Sequence, residues 1–303
     1  MAAAKINQVA WVFPGQGSQR VGMGRELAAN DPRAAETFEV ADKTLGFPLS
    51  DIIFGGPDEV LQQTPIQQPA ILTVSVAYLR VLQARELLPE PAFVAGHSLG
   101  EYAALVAARA LDFRDALRLV RRRGELMQRH GAGAMAALLG LPRGAVVEIA
   151  AETGVEVANF NAPDQITVSG RRESVNQAVV LARDRGAKRA IVLPVSAAFH
   201  SSLMAPVVDE MRSAIENVLF RSPDVPLVGN VDARVLSAPD ELRQELLDQI
   251  CAPVQWVDSV RVMSEAGVTT FFEIGPGKVL SGLVGRCAPT AATTTAEALL
   301  MAG

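Results

Sequence analysis

Two short apolar runs, VAWVF at residues 9–13 and AFVA at 92–95, are each cut off by glycine or proline (Pro14-Gly15 and Gly96). Continuous apolar stretches of that length predict strands buried on both faces. Between them, apolar positions recur at helical spacing over residues 20–30 and 32–45, and a looser loop is expected through Gly55-Gly56-Pro57. Pro69 fits the first turn of a helix, where its missing N–H costs nothing, so AILTVSVAYLRVLQAR is expected to be helical from there. Further helices are predicted after the second strand through residue 108, and over about residues 113–129.

The glycines at 131 and 133 mark a change of period. From there to His200 the order is strand (AMAALLG), helix (143–153), strand pair (VEVANF and QITVSG), helix (172–185) and strand (RAIVLPV). That β-α-β-β-α-β succession is the ferredoxin-like split motif, a self-contained unit. Helices resume over 201–218 and 240–250, with strands near 227–230 and at FFEIG. The expected fold class is α/β: a large domain of residues 1–130 and 201–288, interrupted by a small ferredoxin-like α+β subdomain of residues 131–200. The last stretch, APTAATTTAEALLMAG, is low in complexity, so 289–303 is expected to be a loosely held tail.

Composition narrows the class. Of the 303 residues 49% are apolar, enough for a sizeable core. A net charge of −5 argues against nucleic acid as a partner, since neutralising phosphates needs a basic surface. Cys251 and Cys287 form no C-x-x-C pair, so no metal or redox role is expected, and a reduced, cytoplasmic protein is. The N-terminus MAAAKINQVAWVF lacks the apolar core and cleavage site of a secretory signal. The most apolar helix carries Glu101 and Arg109, so no membrane span is expected.

Against this background GHSLGEY, residues 96–102, places Ser98 in a G-x-S-x-G turn between a strand and a helix. The glycines permit the sharp turn of a nucleophile elbow, which lifts the serine above the sheet and makes the large domain α/β-hydrolase-like. The helix starting at Leu99 aims free N–H groups at the serine oxygen, and the Leu99 N–H is a natural oxyanion donor. A glycine-bracketed turn with an idle serine is the plainer alternative. Glu101, in the first helical turn, reads as a complement to the helix dipole rather than as a base.

A serine nucleophile needs a proton acceptor, and the chain has three histidines. His97 adjoins Ser98 and would point away from it into packing. His130 ends a polar helix as a solvated cation. His200 lies where the insert ends and the large domain resumes, the kind of junction at which clefts form. By elimination it is the base.

The helix DALRLVRRRGELMQR carries three consecutive arginines that cannot share a face at about 100° per residue. Arg121 and Arg122 fall outside the apolar arc made by Ala116, Leu119, Val120, Leu126 and Met127, whereas Arg123 lands within it. A guanidinium among core positions is expensive unless paired or used. Either it meets a distant carboxylate in a buried ion pair, or it anchors a substrate carboxylate bidentately.

At this point the chain resembles the malonyl-CoA:acyl carrier protein transacylases, the acyltransferases of fatty acid and polyketide synthesis. The matching stretches are FPGQGSQ (13–19), QQPAI (67–71), GHSLGEY (96–102), RRG (122–124), NFNAPDQITVSG (159–170), FHS (199–201), QICAPVQW (249–256) and EIGPGKVL (273–280), in one order over nearly the whole chain. The resemblance implies a malonyl ester on Ser98, His200 as base and then acid, and an oxyanion hole from the N–H groups of Leu99 and Gln16. It implies that Arg123 holds the malonyl carboxylate and that the carbonyl of Gln249 orients the histidine. Gln68 and Asn161 are implied to line the cleft, and Phe199 before the histidine matches the malonyl-selective pattern. The implied partners are malonyl-CoA and a holo acyl carrier protein; no resident cofactor or metal is called for, and a monomer is expected. A trans-acting polyketide acyltransferase is the alternative within the family. Outside it stand a serine hydrolase, for which Arg123 would have no purpose, and a carrier-binding module without activity.

Overall fold

The computed structural model describes residues 8–195 and 197–302. The first seven residues, part of the segment read for a secretory signal, lie outside them, as do Ser196 and Gly303. Among the described residues ten strands form two sheets: β1 (Val9–Phe13), β2 (Phe93–Gly96), β3 (Ala134–Leu139), β4 (Glu156–Ala162), β5 (Gln165–Gly170), β6 (Arg189–Val192), β7 (Leu227–Val228), β8 (Val235–Leu236), β9 (Thr270–Glu273) and β10 (Ala292–Thr295). The larger sheet runs β10-β9-β1-β2-β7-β8, parallel except at its β7–β8 edge. The smaller, β4-β5-β3-β6, is antiparallel throughout. With the helices Arg143–Thr153 and Arg172–Asp184 it makes the ferredoxin-like unit, whose core of Val146, Ile149, Val168 and Val175 is its own.

The continuous apolar run of β1 has a direct cause. Trp11 and Phe13 pack into the main helical core, while Ala10 and Val12 face a second cluster with Trp256, Phe271 and Leu280. A central parallel strand covered on both faces has no polar side to show.

In several places the chain departs from expectation, two of them with consequences for the core. The helix predicted from Pro69 begins earlier, at Thr64–Ala84, with Pro65 in its first turn and Pro69 inside it. A proline there leaves the Pro65 carbonyl without its intrahelical donor, and Arg121 Nη1 takes that place at 3.0 Å. Arg121 belongs to the helix Phe113–His130, which crosses this turn so closely that a Cβ on Gly124 would lie 2.7 Å from the Thr64 carbonyl oxygen. Gly124→Ala is therefore expected to destabilise the fold by about 1–3 kcal/mol through overpacking. Denaturant unfolding reads this directly, and an unshifted midpoint would show that the two helices part freely.

The second departure is the supposed tail. Its residues form β10, parallel to β9, and then the helix Ala296–Ala302; Ala296 is buried in the main core and Glu297 accepts from Arg20 at 2.6 Å. Low complexity concealed a strand because the run TTT is β-branched, and β-branched residues suit a pleated edge. The expected loop around Gly55-Gly56-Pro57 likewise contains two short helices, Leu49–Gly55 and Asp58–Leu61.

Candidate active site

The site lies at the C-terminal ends of β1 and β2. Ser98 follows β2 with φ 51°, a left-handed conformation that a serine adopts only where its surroundings hold it. They do so by close backbone contact: a Cβ on Gly100 would sit 2.1 Å from the Phe13 carbonyl oxygen, and one on Gly96 would collide with the backbone of Gly100. The Ser98 N–H donates to Asn230 Oδ1 at 2.7 Å, clamping the turn from the other side.

Ser98 Oγ lies 2.8 Å from His200 Nε2. The other ring nitrogen, Nδ1, faces the carbonyls of Gln249 at 2.8 Å and Ala252 at 3.1 Å. Two acceptors require Nδ1 to carry the proton, which leaves Nε2 as an acceptor for the serine hydroxyl. Burial, and then the nearby Arg123 charge, hold the His200 pKa down to about 3. The imidazole is thus a neutral base.

Arg123 is 1% exposed. Its Nη1 donates to Gln68 Oε1 at 3.0 Å, and its Nη2 to Ser98 Oγ at 3.1 Å and Gln249 Oε1 at 2.9 Å. All these partners are neutral, so the buried ion pair left open by the sequence is not what holds it. Its Nε is buried with no hydrogen-bond partner among the described residues. Arg121 and Arg122 turn instead to Glu125 and Glu210. A desolvated cation carrying an idle N–H thus stands 3.1 Å from the Ser98 hydroxyl, an arrangement with the chemistry to receive an anion.

The remaining expected residues fall around this centre. The loop bearing Gln16 is pressed onto the elbow, since a Cβ on Gly15 would lie 2.4 Å from the His97 carbonyl oxygen. The Gln16 side chain is held by Gln67 and Gln68. The backbone N–H groups of Gln16 and Leu99 have no acceptor among the described residues. Phe199, 8% exposed, packs into the main core beside the histidine. Asn161, on β4, bonds the ring of His97 at 2.7 Å, so its direct partner is that histidine rather than the serine. His97 itself is half-buried, its ring tilted against that of Trp256, and desolvation lowers its pKa.

Three residues with no such role in the sequence reading stand beneath the elbow. Asn230 holds both Ser98 N–H and, through Nδ2, the Gly96 carbonyl at 2.7 Å. Glu101 does more than complement a dipole: it is fully buried and bonded to Asn230 and Gln249. Glu245 accepts from the backbone of Asn230 and Val231. The one signal in the sequence was a glutamate inside an otherwise apolar helix, GEYAALVA.

The chain matches the acyl transferase domain family over residues 10–299. It is 45% identical over 287 residues to the malonyl CoA-acyl carrier protein transacylase of Bacillus subtilis (strain 168), covering 92% of this chain and 90% of that protein. Among solved structures, an acyl carrier protein S-malonyltransferase from Vibrio cholerae superposes with a TM-score of 0.94 at 41% identity, covering 98% of this chain and 100% of that one. A malonyl-transacylase in complex with its type II PKS acyl-carrier protein gives 0.94 at 39%, with coverage of 98% and 99%. On the match spanning both sheets, with the serine turn within it, the chain belongs to the acyl transferase domain family.

Proposed function

We propose that this chain transfers the malonyl group of malonyl-CoA to the phosphopantetheine thiol of acyl carrier protein through an ester on Ser98, supplying extender units for fatty acid synthesis. The observation that carries the reading is Arg123: a buried guanidinium, paired only with neutral groups, within 3.1 Å of the nucleophile. A neutral acyl group would leave that charge with no anion in hydrogen-bond contact; malonyl brings one.

The steps follow from the geometry. Ser98 Oγ passes its proton to His200 Nε2 and attacks the thioester carbonyl, while the developing oxyanion takes the free N–H groups of Leu99 and Gln16. The C–S bond breaks, His200 returns its proton to the CoA sulfur, and malonyl-Ser98 remains. Arg123 then holds the malonyl carboxylate, with Gln68 and the Gln249 amide setting the guanidinium plane. The carrier thiol gives its proton to the same Nε2, its sulfur attacks the ester, and Ser98 leaves protonated. Neither half-reaction needs a resident metal or cofactor. Every group in this scheme comes from one chain, which favours a monomer, and no helix among the described residues is long and apolar enough to cross a membrane. We place the reaction in the cytoplasm. Donation to a polyketide carrier is the second reading, favoured by the likeness to a transacylase bound to a type II PKS carrier.

The test is the intact mass of the protein after incubation with malonyl-CoA, followed by addition of holo carrier protein. One malonyl adduct is expected, discharged onto the carrier. Steady release of CoA with no adduct would instead make the chain a hydrolase, and neither event would leave a binding module.

A further inference from the structure

A buried pair of carboxyl groups lies directly beneath the reacting atoms, and the scheme above does not use it. The Asn230 backbone N–H points at both Glu101 Oε1 (2.8 Å) and Glu245 Oε1 (2.6 Å). Glu101 is 0% and Glu245 4% exposed. Two buried carboxyl groups sharing one N–H disfavour simultaneous ionisation. Burial, reinforced at Glu101 by the Glu245 charge, raises both pKa values. Gly229 makes the room, since a Cβ there would lie 2.8 Å from the Glu245 carboxyl carbon.

What Glu101 holds matters more than its charge. Its Oε1 accepts from Asn230 N and from Asn230 Nδ2 at 2.6 Å, and its Oε2 accepts from Gln249 Nε2. Both oxygens therefore face N–H donors. Because Gln249 must present its NH2 to Glu101, its amide oxygen is turned toward Arg123 Nη2. The reverse orientation would set NH2 against guanidinium and oxygen against carboxylate. The backbone carbonyl of the same Gln249 fixes His200 Nδ1. The other ligand of Glu101, Asn230, clamps Ser98. Base, anchor and nucleophile thus meet at one carboxyl group.

We propose that Glu101 is a positioning residue for the acyl transfer: it fixes the Gln249 amide and the Asn230 clamp, so that His200, Arg123 and Ser98 stay in register. The inference rests on the malonyl-transfer reading and deepens it.

The test compares two isosteric variants, Glu101→Gln and Glu245→Gln, each of which removes one carboxyl from the pair. The readout is the rate of malonyl-adduct formation per competent serine, with competent molecules counted by the final extent of adduct, so that loss of folded protein does not register as loss of rate. In Glu101→Gln an NH2 must face the donors of either Gln249 or Asn230. Adduct formation is expected to slow about 100-fold, the scale of a misplacement near 1 Å. Glu245→Gln keeps an oxygen for its two backbone donors, and its loss is expected to stay within about ten-fold. Equal losses in the two variants, or none in Glu101→Gln, would overturn the proposal. Should Glu101→Gln not fold, Gln249→Ala asks the same question, because it removes the amide and leaves the backbone carbonyl toward His200. A rate near wild type there also overturns it. A wild-type protein that takes up no malonyl group removes the transfer reading and this inference with it; adduct in the wild type with unchanged variants removes this inference alone.

Discussion

Arg123→Ala is expected to lower kcat/KM for malonyl-CoA about 10³-fold while leaving any reaction with acetyl-CoA within about ten-fold of its wild-type value. Breaking a buried, hydrogen-bonded charge pair by removing one partner costs about 2–5 kcal/mol, and each 1.4 kcal/mol is tenfold, so the span is roughly 30- to 4,000-fold. Complete burial of the guanidinium and its idle Nε place this site in the upper half of that span. Acetyl brings no carboxylate, so its reaction loses the hydrogen bonds from Arg123 to Ser98, Gln68 and Gln249 but no ion pair with the acyl group. Arg123→Lys should recover little, because one ammonium cannot reproduce the fork and would leave Gln68 and Gln249 competing for a single nitrogen. The decisive quantity is the ratio of the two substrates. If malonyl and acetyl transfer fell equally, Arg123 would be a support for the serine and not the reader of the acyl group.

The parts of this site legible in the sequence are those whose chemistry is local. The Ser98 elbow is a strand, two glycines and a helix start, all adjacent in the chain, and the structure adds only the contacts that make Gly96 and Gly100 obligatory. Arg123 could be found because a charge on an apolar helical arc is an anomaly within a single turn. Its partners could not, since Gln68, Ser98 and Gln249 are 55, 25 and 126 residues away and converge only through the sheet. Asn230 follows the two-residue β7 and carries no pattern of its own. Glu101 had a sufficient local explanation in the helix dipole, which hid its tertiary one. The C-terminal strand is hidden for the opposite reason: low complexity masks the strand preference of three threonines.

Removing either half of the Ser98–His200 pair is expected to lower turnover about 10⁴- to 10⁶-fold, and removing both is expected to cost little more, because nucleophile and base act as one unit. The pH dependence is the sharper part of this prediction. With its pKa held to about 3, His200 in the free protein is already neutral at pH 5, so kcat/KM should show no acid limb at the ordinary histidine value of about 6.5. The same shift has a consequence for stability with a definite sign. The unfolded chain takes up a proton at this histidine below about pH 6.5 while the folded one does not, so stability should fall as the pH drops from there toward 3. His97, its pKa lowered in the same direction by desolvation, adds to the fall. Thermal unfolding of His200→Ala should therefore be less acid-sensitive than that of the parent over this range. An acid limb in kcat/KM near 6.5, unmoved when Arg123 is also replaced, would mean that the imidazole titrates freely and that neither burial nor the guanidinium sets its charge. A flat profile in the parent, with acid sensitivity relieved in His200→Ala, would tie the readiness of the base to the burial and the fixed positive charge that surround it.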